Sequence, residues 1–289
     1  VKFGRHYRIT IQNTDGTAIV VQDKLTIQFN IHRSVMASLN GMTLQIYNLS
    51  ATHRNLIFQD RFDTRRYKII VEMGYDNLTV VFIGDIYEAN STREGTNIVT
   101  TIDARDGNFD TNQTLISTTL AAGTTLSDTL EFLAGQFPNL SIGKITNATP
   151  GMQDILSRPV VLEGNVYQLI QQYANPALNN TFIDLAVINI QGQNEVFVNN
   201  SISLIDASTG LIDTPRRDQS YLTVTTLLEP RIVMGQIIDL VSSVQQQYNG
   251  IYKVTGVTHR GIISEAVNGN CYSIFNMVGN QLLGGFSII

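Results

Sequence analysis

Four histidines, His6, His32, His53 and His259, are the first residues to test for chemistry, because imidazole is both a metal ligand and a general base near neutral pH. No two stand at the spacing that would put a pair of metal ligands on one helix face. His32 falls at a strand end and His53 on the exposed side of a short helix, so both read as solvated or packed residues. Asp103 and Asp106, in Ile102-Asp103-Ala104-Arg105-Asp106-Gly107, could pair as the two carboxylates of a glycosidase. A strand running into Asp-Gly uses Asp106 to form a turn instead. A serine nucleophile needs a strained elbow, and no Gly-x-Ser-x-Gly occurs. The glycines of Gly279-Asn280-Gln281-Leu282-Leu283-Gly284-Gly285 lack the Lys-Ser/Thr that completes a phosphate-cradling loop. The single Cys271 can form neither an intrachain disulfide nor a thiolate metal site, and reads as a small apolar strand residue. The expectation is no catalytic residue, no metal and no cofactor.

The elements around these residues are mostly strands. From Arg8 to about Gly107 apolar and polar residues alternate with period two, as in Leu25-Thr26-Ile27-Gln28-Phe29-Asn30-Ile31 and Thr43 to Leu49. Further strands are expected at Tyr67 to Met73, Leu78 to Ile83, Asp85 to Asn90 and Asn97 to Ala104, with one short helix from Ser50 to about Phe58 whose apolar contacts are Leu56 and Ile57. This pattern describes a barrel or a sandwich. After Asp106-Gly107 two helices are expected, one carrying Leu126, Leu130, Leu133 and Phe137, the other running from Asn165 to Asn175-Pro176. Strands return from Thr181, among them Phe182 to Ile190, Glu195 to Val198, Ile202 to Ile205, Leu222 to Leu228, Gln236 to Ser242, Gly250 to His259 and Asn270 to Val278. The strand pair around Val81 to Ile102 is echoed by Tyr252 to Phe275, each with a mid-strand glycine, Gly84 and Gly256, where a bulge or sharp bend is expected. Two related barrels with an insert between them would explain the echo; so would chance similarity between hairpins.

Composition narrows the partners. The 289 residues are 43% hydrophobic but only 15% charged, against a usual quarter, and Ser, Thr, Asn and Gln make up roughly 30%. Net charge is −5, and no basic run exceeds the pairs Arg65, Arg66 and Arg216, Arg217, so tight binding of nucleic acid is not expected. No stretch approaches eighteen apolar residues and Val1 to His6 leads into no signal-like core, so a soluble chain without membrane insertion is expected.

The C-terminal third carries an ordered series of motifs. Thr209-Gly210-Leu211-Ile212-Asp213-Thr214-Pro215 comes first, then Leu227-Leu228-Glu229-Pro230 with the strand that Gly235 introduces, then Gly250-Ile251-Tyr252-Lys253-Val254-Thr255-Gly256-Val257-Thr258-His259. This series, with Phe82-Ile83-Gly84-Asp85-Ile86 and Ile102 to Gly107, resembles the central baseplate hub proteins of contractile-tailed bacteriophages. Its bearers are Gly84, Asp85, Gly210, Leu211, Pro215, Leu227, Leu228, Pro230, Gly235, Val254, Val257 and His259. His259 is expected as a buried, hydrogen-bonded imidazole.

The resemblance implies a mainly β chain of two related tube-type β-barrel domains, residues 1–107 and 176–289, flanking a small mixed α/β insert at 108–175. It implies a homotrimer whose six barrels adapt a sixfold tail tube protein to a threefold tail spike protein, beside other baseplate proteins. DNA would pass through the channel without specific binding, in a virion tail baseplate assembled in the host cytoplasm. A neutral or acidic wall suits such passage. The apolar C-terminal run Leu282 to Ile289 would dock on a partner or neighbouring subunit, or pack on its own barrel. Competing readings are a related tube or secretion-spike protein, a tail-associated peptidoglycan-degrading enzyme with the insert as catalytic module, and a carbohydrate-binding β-domain. The absence of Trp counts against the last.

Overall fold

Alternation in the sequence becomes strand after strand. The computed structural model describes residues 4–13, 16–35, 39–60, 67–146, 151–192, 195–196, 203–218, 221–265, 269–279 and the backbone of 287–288. Arg65, Arg66, Val198, Ile202 and most of the apolar C-terminal run lie outside these residues. The chain passes through β1 (His6–Asn13), β2 (Ala18–Gln22), β3 (Ile27–Ser34), β4 (Gly41–Tyr47), α1 (Ala51–Ile57), β5 (Tyr67–Gly74), β6 (Leu78–Glu94) and β7 (Asn97–Arg105). It continues through α2 (Asn108–Gln113), β8 (Leu115–Leu120), α3 (Leu126–Ala134), β9 (Ser141–Ile145), β10 (Val160–Asn165), α4 (Val166–Ala174), β11 (Asn179–Asp184) and β12 (Val187–Gly192). The last third holds β13 (Glu195–Val196), β14 (Ser203–Ile205), β15 (Arg216–Asp218), β16 (Tyr221–Leu227), β17 (Ile237–Leu240), β18 (Gly250–Ile263), β19 (Cys271–Gly279) and β20 (Ser287–Ile288). The protein is mainly β.

Thirteen strands form one sheet in the order β15-β16-β19-β18-β3-β4-β7-β6-β5-β1-β2, with β14 and β17 attached beside β18. The joint between the halves is β18. Its first residues pair with β17, Gly256 to Ile263 pair with β3 on that same side, and β19 occupies the other side. A strand of fourteen residues is long enough to serve both halves at once. The ladder ends at β2 and β15 and does not return on itself among the described residues. The expected pair of tube-type β-barrels is thus not found closed among the described residues: β18 gives one edge to both β17 and β3 and joins the two halves in one sheet.

Two apolar clusters lie against this sheet, and a third lies against the separate three-stranded sheet β11-β12-β9. The first draws Ile27, Phe29, Ile31, Leu44, Ile46, Ile69, Val71 and Ile102 from β3, β4, β5 and β7, each fully buried side chain contributing roughly 1.5–3 kcal/mol. The second collects Val224, Ile238, Val254, Val257 and Phe275. The third packs Leu130 and Leu133 of α3 and Ile170 of α4 against Ile183, Ile188 and Ile190 of β11 and β12. Caps start these helices where the residue types predict: the side chains of Ser50, Thr125 and Asn165 accept from the backbone N–H groups of His53, Asp128 and Gln168.

Some elements differ from expectation. On α1 only Ile57 is buried, while Leu56 is half-exposed. Leu78 to Asn90, expected as two strands broken at Gly84, belongs to one seventeen-residue strand. Phe182 to Ile190, expected as a single strand, falls in a hairpin of β11 and β12 turned at Leu185 and Ala186, whose φ angles are 56° and 61°. The backbone of Ser287 and Ile288 pairs in parallel with Glu195 and Val196 of its own chain.

Candidate functional site

Seven neighbouring strands, β16-β19-β18-β3-β4-β7-β6, bury one face and present the other. Because side chains alternate across a strand, the outer face is set by parity. It carries Thr223 on β16, Asn276 on β19, Thr258 and Arg260 on β18, Asn30 and His32 on β3, Thr43 and Gln45 on β4, Asp103 and Arg105 on β7, and Glu88 and Asn90 on β6, all exposed or part-exposed. Registers Arg260↔Asn30, Asn30↔Thr43, Thr43↔Asp103 and Asp103↔Glu88 align them in a row that crosses from one half of the chain to the other without a break.

The polar groups of this face largely satisfy one another. Thr223 Oγ1 donates to Asn276 Oδ1 at 3.1 Å, His32 Nδ1 lies 2.9 Å from Thr258 Oγ1, Thr43 Oγ1 donates to Asp103 Oδ1 at 2.6 Å, and Asn90 Nδ2 donates to Glu88 Oε1 at 3.3 Å. The cations are held differently. Arg105 stacks over the Tyr87 ring at 4.9 Å and Arg260 over the Tyr272 ring at 5.0 Å. Tyr87 is the extra residue of a bulge between Ile86 and Glu88, a device that re-aims a side chain. Two arginines stand against Asp103, Glu88 and Asp85, the last directly opposite Arg105, so the face carries little net charge.

A buried polar clasp lies on the other side of β3. Arg33 is 1% exposed, and its Nη1 donates to Asp184 Oδ1 at 3.1 Å. Asn40 Nδ2 donates to the Ile183 carbonyl at 2.6 Å, and Asp106 accepts from the Ala186 N–H at 3.0 Å. The turn between β11 and β12 is thus held by three side chains from the first hundred or so residues. Burial, and then the charge of Asp184, push the Asp106 pKa up to about 8, outweighing the turn amides.

The motif residues are spread through the packing and do not converge on one site. A Cβ on Gly84 would lie 2.7 Å from the Arg105 carbonyl oxygen and from the Phe82 ring. Asp85 accepts the Phe109 N–H at 3.2 Å and caps α2, whose own N-cap residue, Gly107, has no side chain. The Gly210 carbonyl takes the Leu227 N–H, Leu211 bridges to Thr226, and Pro215 and Pro230 are buried. Leu228 enters the first cluster, while Val254 and Val257 enter the second. Gly235, at φ 79°, donates its N–H to the Val254 carbonyl. His259 is fully buried, with Nδ1 2.8 Å from Ser273 Oγ, which also accepts the Glu229 N–H. Burial, reinforced by Arg33, pushes its pKa down to about 3 and keeps the ring neutral.

The two aspartates weighed as a catalytic pair have separate partners, Asp103 with Thr43 and Asp106 with Ala186. Among the described residues no group of three His, Cys, Asp or Glu side chains is gathered, and no helix is long and apolar enough to cross a membrane. Sequence reasoning missed Arg33, although its parity with Ile27, Phe29 and Ile31 places it inward. It also missed buried Lys253, whose Nζ donates to the Gly192 carbonyl at 3.3 Å and whose pKa burial pushes down to about 8.

Comparison with known proteins adds an independent line. The sequence model of a family described as baseplate hub gp41 matches residues 7–261. No curated protein matches the sequence. Among solved structures, the fold is similar to a 43 kDa tail protein of prophage MuSo2 from Shewanella oneidensis, with TM-score 0.65 at 10% identity over 96% of this chain and 98% of that one. It is similar to a tail protein from Neisseria meningitidis MC58, with TM-score 0.61 at 10% identity over 96% and 98% of the two chains. A chain of a Francisella PdpA-VgrG complex aligns with TM-score 0.57 at 9% identity, over 100% of this chain and 54% of that one.

Proposed function

The chain belongs to the baseplate hub gp41 family, and on that premise we propose that it is a non-catalytic hub: a homotrimer that adapts a sixfold tail tube to a threefold spike and forms part of the channel through which DNA leaves. Each chain gives two related halves, residues 1–107 and 176–289, with the insert at 108–175 on the periphery. Three copies then supply six wall segments, since cyclic closure requires every interface to repeat.

The observation that carries this reading is the polar face that crosses from β6 to β16 without a break. A wall whose hydroxyls and amides bond to each other, and whose charges nearly cancel, gives DNA no deep electrostatic well along its path. Among the described residues the edges at β2 and β15 have no further strand, and in this reading strands of neighbouring copies meet them and closure of the tube-type barrels belongs to the assembly. Tail tube, spike and other baseplate proteins are the expected partners, in a virion tail built in the host cytoplasm. Mass photometry and electron microscopy of the purified protein, alone and with tube or spike protein, test the reading. A trimeric ring is expected; a strict monomer that forms no ring with either partner overturns it.

A further inference from the structure

The polar face contains one arrangement that a passive wall does not need. Arg105 and Arg260 are both exposed, one in each half of the chain. Each is stacked on a tyrosine of the adjoining strand, Tyr87 or Tyr272. Neither guanidinium has a hydrogen-bond acceptor or a carboxylate partner among the described residues. The nearby acids are otherwise engaged, Asp103 by Thr43, Glu88 by Asn90, and Asp85, opposite Arg105 in register, by the Phe109 N–H. Contact with the ring restrains the long side chain, and a guanidinium so held keeps the planar N–H donors that match a phosphate.

We propose that Arg105 on Tyr87 and Arg260 on Tyr272 are contact points for the phosphodiester backbone of nucleic acid, one from each half, weak and indifferent to sequence. The proposal rests on the hub reading above and gives it a defined ligand chemistry. The two arginines lie three strand spacings apart, about 14 Å across the sheet, so one phosphate cannot bridge them and each acts alone. A guanidinium that touches phosphate reads no base. Two isolated cations per chain, in a protein of net charge −5, hold DNA only when salt is low.

The test uses the full chain and a fluorescein-labelled DNA duplex of random sequence, titrated by anisotropy from low salt upward. Salt-sensitive binding is expected, with R105A/R260A binding several-fold more weakly and losing about 2 from the slope of log affinity against log salt. R105K/R260K, which keeps both charges, retains the slope. Y87L/Y272L retains the slope and loses affinity, because only the stacking is removed. Absence of salt-dependent binding in the wild type, or an R105A/R260A slope equal to wild type, overturns the proposal. Mass photometry of the same samples separates it from the hub reading: rings that persist in R105A/R260A while DNA contact is lost support both, whereas a DNA difference without rings in any sample defeats the hub reading alone.

Discussion

Asp106 Oδ1 accepts a hydrogen bond of 3.0 Å from the backbone nitrogen of Ala186, eighty residues away. The contact joins the end of β7 to the turn between β11 and β12. Leu185 and Ala186 both hold left-handed φ angles, a conformation that costs an ordinary residue roughly 1–2 kcal/mol. Neither is a glycine or asparagine, so the turn depends on groups outside it. The Asp106 carboxyl group supplies an acceptor oxygen where water cannot reach.

Replacing Asp106 with Ala is expected to destabilise the protein by about 2–3 kcal/mol, since the turn amide is then buried without an acceptor. Asp106→Asn keeps one carbonyl oxygen and should lose less. Urea denaturation of the two variants measures the difference; an alanine variant as stable as wild type would mean that the turn holds itself.

The Arg33–Asp184 pair makes a sharper case, because both partners are nearly inaccessible, at 1% and 10% side-chain exposure. Truncating one partner leaves the other charge buried alone. Arg33→Met should therefore cost about 3–5 kcal/mol. Removing both charges in R33M/D184L should restore much of that loss, since a buried ion pair gains little over packed apolar groups. A double-mutant cycle by thermal melting checks this, and additive losses would show that the two residues act independently.

The two glycines aligned by the internal echo should respond differently. At Gly84 a methyl group would meet the Arg105 carbonyl oxygen and the Phe82 ring at 2.7 Å, so Gly84→Ala must push backbone aside. A loss of about 1–3 kcal/mol is expected. At Gly256 the nearest atoms lie at 3.4 Å, the Asn276 side chain among them, and Gly256→Ala should cost under about 1 kcal/mol. Equal losses at both positions would count against close approach as the reason for Gly84.

These cases show which parts of the molecule its sequence made legible. Alternation is local, so β3 and β4 could be read directly, and Thr125 and Asn165 mark their helices because capping spans three residues. The Leu185-Ala186 turn carries no turn residue, and its partner Asp106 is remote in sequence, so a hairpin was mistaken for one strand. The regions 1–107 and 176–289 read as two separate tube-type barrels because nothing in β18 or β3 announces that they pair across more than two hundred residues. The outer-face stacks were hidden for the same reason. Arg105 meets Tyr87 only through the register of β6 and β7 and the bulge between Ile86 and Glu88.

Asp106 and His259 should together shape the dependence of stability on pH, because they act in opposite directions. With its pKa near 8 in the fold, Asp106 keeps a proton that an unfolded aspartate releases near pH 4. Its stabilisation is full below about pH 4 and drains away as pH rises towards 8. His259, with its pKa near 3, refuses a proton that an unfolded histidine takes up near pH 6.5. Its contribution is full above about pH 6.5 and is lost as pH falls towards 3. Between about pH 4 and 6.5 the two slopes oppose each other; above about 6.5 His259 no longer contributes a slope, burial shifts Asp184 in the same direction as Asp106, and stability should fall towards pH 8. Urea midpoints measured across this range provide the check. Asp106→Asn should make the fall of the upper limb shallower and tilt the lower one upward relative to wild type, because only Asp184 then opposes His259. A wild-type profile level from pH 6.5 to 8 would mean that Asp106 and Asp184 are already ionised inside the fold, with the turn amides and Arg33 outweighing their burial.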